Sequence, residues 1–123
     1  MNIKVTMDNA KLRQLERAAA IALEKTAEAV KTEVINAQVM PFDTGTMQNT
    51  GMNVETAKSG RGEVSINVDT PYARRVYYHP EINFQTVNNP NARGEWFEPW
   101  INGEHKDFAQ NAFNKLYKKE AGL

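Results

Sequence analysis

The chain of 123 residues contains no cysteine, which removes disulfides, thiol nucleophiles and cysteine-based zinc sites and is compatible with a reducing compartment. It also lacks a surplus of either charge, with 15 Lys and Arg against 15 Asp and Glu. A broadly electrostatic nucleic-acid binder needs excess cations to release counterions from phosphate, so that class is disfavoured, local basic patches aside. No run of about 18 apolar residues occurs, which argues against a spanning helix. Met1 to Thr6 lack the cationic stretch and apolar core of a secretory signal. The expected location is therefore a cytoplasm or a particle assembled in one. Internal repeats and low-complexity tracts are absent too, and the length fits one domain, residues 1–123.

What is present is periodicity that changes along the chain. After Asp8 or Asn9 as a cap, apolar residues recur at Leu12, Leu15, Ala19, Ala22, Leu23, Ala27, Val30, Val34 and Ala37, the three-and-four spacing of a helix that Pro41 is expected to stop. Met52 and Val54, then Val64, Ile66 and Val68, alternate with polar residues as in two strands. Lys58–Gly62 joins them as a five- or six-residue turn whose two glycines allow positive φ. Thr70-Pro71 opens a short helix, with Tyr72, Val76 and Tyr77 on one face. Ile82–Val87 reads as a third strand, and residues 94–101 as a compact helical turn interrupted by Pro99. From Glu104 a final helix carries Phe108, Ala109, Ala112, Phe113, Leu116 and Tyr117 and frays at Ala121-Gly122. The fold class is α+β: a long N-terminal helix packed on a small antiparallel sheet, a short middle helix and a C-terminal helix.

One magnitude points outward from the subunit. A helix from Asn9 to Met40 is roughly 48 Å long at about 1.5 Å per residue, whereas a compact domain of this size is near 35 Å across. Such a helix either kinks near Thr26 or packs its exposed end on another subunit, and the second is favoured.

Candidate chemistry is sparse. Asp43-Thr44-Gly45 is the tripeptide of aspartic proteases, in which two half-sites share a proton, so a dimeric protease using Asp43 is one alternative. A helix and Pro41 precede it, however, where that chemistry follows an apolar strand, and an aspartate turn explains it better. His79 and His105 have no metal-ligand spacing, and no Ser-centred elbow is present. Glu95, Glu98, Glu104 and Asp107 cluster as helix-capping or solvated carboxylates. Metal, cofactor and catalytic residues are therefore not assigned. Arg61, Arg74, Arg75 and the C-terminal lysines Lys115, Lys118 and Lys119 form the basis of a second alternative, a module contacting DNA or RNA. Arg74 and Arg75 stand beside Tyr72, Tyr77 and Tyr78, a combination more typical of protein interfaces. Trp96, Phe97 and Trp100 are either a binding hot spot or the cap of the core.

The order of these features carries more than any one of them. A long helix leads into Met40-Pro41-Phe42-Asp43-Thr44-Gly45-Thr46-Met47, then the hairpin, then Thr70-Pro71-Tyr72-Ala73-Arg74-Arg75-Val76-Tyr77-Tyr78, then Trp96-Phe97 and a basic last helix. Nearly the whole chain resembles the minor capsid proteins of tailed bacteriophages and prophages, in the tail-completion or head-to-tail joining group. The resemblance implies a non-enzymatic virion protein, assembled in the bacterial host cytoplasm. It would form a homo-oligomeric ring of about six copies at the neck, among other neck and tail proteins and close to packaged DNA, with no membrane. It implies that the turn at Pro41, Asp43, Thr44 and Gly45 sets how the helix enters the sheet, and that Tyr72, Ala73, Arg74 and Tyr78 position the short helix. The chain departs from the commoner pattern after Gly45, with Met47-Gln48-Asn49-Thr50 where many relatives carry Leu-Arg before a Ser.

Overall fold

A computed structural model describes residues 2–6, 8–40, 51–70, 72–79, 84, 86 and 89–123. The elements are helix α1 (Asn9–Asn36), strands β1 (Met52–Glu55) and β2 (Ser65–Val68), and helices α2 (Ala73–Tyr77), α3 (Glu98–Ile101) and α4 (Phe108–Ala121). The class is α+β, as the patterning implies, with β1 and β2 as an antiparallel pair.

α1 begins because the Asp8 carboxylate accepts from the backbone N–H groups of Ala10, at 2.9 Å, and Lys11, at 3.4 Å. It runs unbroken through Thr26, whose buried hydroxyl donates to the Ala22 carbonyl at 2.7 Å. Its fully buried residues are Ala18, Ala22, Thr26, Ala27 and Val34, so the stripe is wider than the apolar periodicity shows and takes in Ala18 and Thr26. Two neighbours account for the width. α4 packs along α1, and the hairpin packs on it from another side. The small residues at 18, 22 and 26, with Ala121 buried in α4, suit a close approach of the two helices. Adjacent side chains of α1 key both neighbours: Lys25 is ion-paired with Glu120 of α4, and the Glu24 carboxylate accepts from the Ser59 hydroxyl of the hairpin turn at 2.8 Å.

α1 ends at Asn36, short of Pro41. Gln38, at φ 56°, turns the chain away, and donors from a distant segment take the released carbonyls. Asn91 gives its side chain to Ala37 (2.9 Å) and its N–H to Gln38 (3.2 Å). Arg93 N–H reaches Val39 at 2.8 Å and the buried Asn89 amide reaches Met40 at 2.8 Å. The core forms at this end of α1, where Val34, Val39, Met40, Met52, Ala73 and Trp96 meet.

The hairpin pairs Met52 with Val68 and Val54 with Ile66, so the alternating apolar residues share one face. Its connection, residues 56–64, is longer than the expected turn because Ser59–Arg61 form a 3₁₀ turn held against α1. Only Gly62 uses a positive φ, at 83°. The expected third strand lies outside the described residues apart from Phe84 and Thr86, neither of which is in a strand. α2 starts at Ala73 and buries Ala73 with Val76 and Tyr77 beside the core, leaving Tyr72 exposed, contrary to the expected shared face.

Pro99 is the second residue of α3 and so belongs to a first turn, where it costs no hydrogen bond; it does not interrupt a helix. α4 starts later than Glu104 because residues 103–107 form a turn, with His105 N–H donating to the Pro99 carbonyl at 2.8 Å. It does not fray: Gly122, at φ 74°, places its N–H on Lys119 O (3.2 Å) and that of Leu123 on Lys118 O (2.8 Å), a Schellman closure.

Two substitutions test this packing. A Cβ on Gly103 would stand 2.6 Å from Pro99 Cα, a backbone atom, so Gly103→Ala is expected to cost about 1–3 kcal/mol. Asn89→Ala leaves Met40 O without this amide donor and should also cost about 1–3 kcal/mol. Both are read as a lower urea midpoint at unchanged slope.

Candidate interaction surface

α2 and the segment at Trp96-Phe97 converge on one aromatic cluster. Tyr77 stands edge-on to Trp96 at 4.7 Å between ring centroids and to Tyr78 at 5.1 Å, with Phe97 at 6.0 Å. The backbone fixes the arrangement, since Glu95 N–H donates to Tyr77 O at 2.8 Å. Glu95 itself has φ 47°, a left-handed conformation that turns the chain into Trp96.

The cluster separates the sequence-predicted interface residues into two groups. Trp96 is 1% exposed and belongs to the core, while Tyr77 and Phe97 pack against that core from its rim. Tyr72 and Tyr78 are 44% and 65% exposed, and Arg74 and Arg75 are exposed beside them. Trp100 tilts against His105 at 5.1 Å between centroids and, with Phe97, lines a cavity of ≈ 360 Å³ between α1, β2, α3 and the start of α4. The accessible part of the surface is thus two arginines and two tyrosines, a composition enriched at protein interfaces.

A groove of ≈ 380 Å³ runs beside this cluster, between Ile66, Asn67 and Val68 of β2 and residues of α2 together with Trp96 and Phe97. Sequence reasoning missed it, since the signal that two separated segments form opposing walls is not local. Among the described residues, the Nε1 atoms of Trp96 and Trp100 and the hydroxyl of Thr70 are buried without a hydrogen-bond partner.

The remaining candidates are dispersed. Arg61 sits in the hairpin turn against α1, and β2, about 13 Å long, lies between it and the α2 arginines. Lys115, Lys118 and Lys119 are on α4, the last two in its final turn, where cations complement the helix dipole. His105 is 3.5 Å from its neighbour Glu104, and Glu98 accepts from Asn102 at 3.0 Å, both local contacts. Asp107 occupies the cap position of α4 without a side-chain capping bond. No group of three metal-ligating side chains occurs among the described residues, and no described helix is long and apolar enough to cross a membrane. Pro41, Asp43, Thr44 and Gly45 lie outside the described residues. No family model matches the chain, and neither a curated protein nor a solved structure matches it.

Burial pushes the Tyr77 phenol up from its ordinary value, and the nearby carboxylates of Glu98 and Glu95 push it further. The folded state therefore holds this proton more tightly than the unfolded chain. The associated stability is fully present below pH 10 and is lost as pH rises through the folded value. In an alkaline ultraviolet titration one of the four tyrosines should ionise later than the rest, and Tyr77→Phe should remove that late step.

Proposed function

We propose that the chain is a non-enzymatic structural subunit of a tailed-phage virion, a ring-forming tail-completion or minor capsid protein that joins head to tail at the neck. The observation that carries this reading is the order of motifs along the chain: long helix, Asp-Thr-Gly turn, hairpin, Pro-Tyr-Ala-Arg segment, Trp-Phe and basic last helix.

The shape of α1 supports self-association. At 28 residues it is about 42 Å long, and its first nine residues, 9–17, include none that is fully buried. Leu12 and Leu15 are only half-buried there, and Ile21 beyond them is exposed. An apolar stripe that continues past its own domain is what a neighbouring subunit covers in an obligate assembly. The exposed Tyr72, Arg74, Arg75 and Tyr78 supply a second contact surface at the opposite end of the helix. Two different surfaces at opposite ends suit a heterologous, head-to-tail contact, and a contact of that kind closes into a ring when the rotation per subunit allows.

The DNA- or RNA-contacting alternative draws on Arg61, Arg74, Arg75 and the α4 lysines, which occupy three separate elements. The protease alternative depends on Asp43 in an assembled dimer. The virion reading accounts for more of the molecule than either.

Size-exclusion chromatography with light scattering, alone and with candidate neck proteins, tests it. The expected result is a species near six times the 13.9 kDa of one chain, seen as a ring by electron microscopy. Tailed particles whose proteome lacks the chain would remove the reading. Binding to DNA that weakens steeply with salt would favour the nucleic-acid alternative.

A further inference from the structure

The geometry points to strand exchange between copies: residues 2–6 of one copy add to the free edge of β2 in the next. This rests on the self-association in the ring reading and not on a virion role.

Asp69 N–H donates to Gly51 O at 2.7 Å, one step beyond the Met52–Val68 pair. In an antiparallel ladder hydrogen-bonded pairs alternate with non-bonded ones. The bonded pairs are therefore Gly51–Asp69, Asn53–Asn67 and Glu55–Ser65, and the backbone groups of Ile66 and Val68 point outward. Among the described residues those groups have no partner, which leaves an open strand edge.

The groove beside the aromatic cluster lies along that edge. It is lined by Ile66, Asn67 and Val68 and by no residue of β1. Successive strand residues face opposite sides of a sheet, so a groove that touches three in a row runs beside the strand rather than over one face. Its far wall includes Trp96, whose Nε1 is buried without an acceptor among the described residues. An incoming strand brings backbone carbonyls to that wall and main-chain partners to Ile66 and Val68, which is recognition by strand addition.

The occupant is present in the chain. Residues 2–6, Asn-Ile-Lys-Val-Thr, are outside any helix or strand, and Ile3 and Val5 are 90% and 86% exposed. Three of the five are β-branched and the apolar pair is two residues apart, the pattern of a strand with one buried face. Ile3 to Val5 spans about 7 Å when extended, as does Ile66 to Val68. The chain's own arm falls short of its own groove. Ile66 also lines a cavity with Leu23 and Thr26 of α1, and Leu23, the nearer of the two to Asn9, is about 21 Å from it along the helix axis. Val5, which has to lie beside β2 together with Ile3, extends at most about 14 Å from Asn9. A second copy has no such limit.

Because the natural chain has no cysteine, engineered pairs report only the contact under test. A strand that places Ile3 and Val5 with Ile66 and Val68 puts Lys4 on the face of Asn67. Lys4→Cys and Asn67→Cys copies of different tagged lengths, mixed under mild oxidation, should give a mixed disulfide several-fold above the Lys4→Cys and Asn111→Cys mixture. Ile3→Asp with Val5→Asp, both at exposed positions, should abolish association while leaving the circular dichroism and melting of the subunit unchanged. A yield no higher than the control overturns the proposal, as does a Lys4→Cys/Asn67→Cys chain that closes on itself at high dilution. Light scattering on the same samples shows whether the ring reading falls with it: association that persists without the link leaves the ring in place with another contact.

Discussion

The carbonyl oxygens of Ala37, Gln38, Val39 and Met40 follow the last residue of α1 and are met by donors from Asn89, Asn91 and Arg93. Groups of this kind must be paired when buried. That pairing brings residues 89–93 to the end of the helix, and Glu95 and Trp96, just beyond them, then dock on Tyr77 and the core. The aromatic cluster, the groove beside β2 and the position of α2 all follow from how α1 is terminated. A helix that ran on to Pro41 would leave these same four carbonyls as its unpaired last turn, since Pro41 has no N–H to offer Ala37, and would carry them away from the Asn89 and Asn91 amides.

Elements whose cause is local were legible in the sequence. The cap at Asp8, the helical period through Val34 and the alternation that pairs Met52 with Val68 all appear where residue spacing puts them. Boundaries set by distant partners were not. α1 stops at Asn36 because of residues 89–93, and Ser59 is drawn into a 3₁₀ turn whose hydroxyl bonds Glu24. Alanine and threonine carry little hydrophobic signal, yet Ala18 and Thr26, outside the expected stripe, join Ala22 as the small residues that a close helix neighbour selects. The candidate surface was legible in the same partial way. Composition marked Tyr72, Arg74, Arg75 and Tyr78, but the burial of Trp96 depends on Tyr77 and the bond from Glu95, which no short window contains.

The proposed role in assembly draws on unfinished contacts. Among the described residues Trp96 and Trp100 each bury an indole N–H without an acceptor, β2 has one edge without a partner, and the apolar side of α1 continues past the last buried residue at that end. Each omission costs an isolated subunit something, since buried donors and strand edges are normally covered. Together they are the contacts that neighbours would complete in the proposed assembly. The balanced charge fits the same picture, because copies of such a chain can approach one another without net repulsion.

The helix that extends past its own packing also acts as a long arm about a fixed seat. Its anchored part is held on two sides, by Lys25 with Glu120 and by Glu24 with Ser59, and its core end is held at Val34. A bend of about 10° at Ala18, the first buried residue, would carry Asn9, about 14 Å away at about 1.5 Å per residue, through about 2 Å, while the groove hardly moved. In the proposed ring, spacing between copies could therefore be adjusted at the tip without disturbing the groove, so that one subunit design would tolerate slightly different diameters.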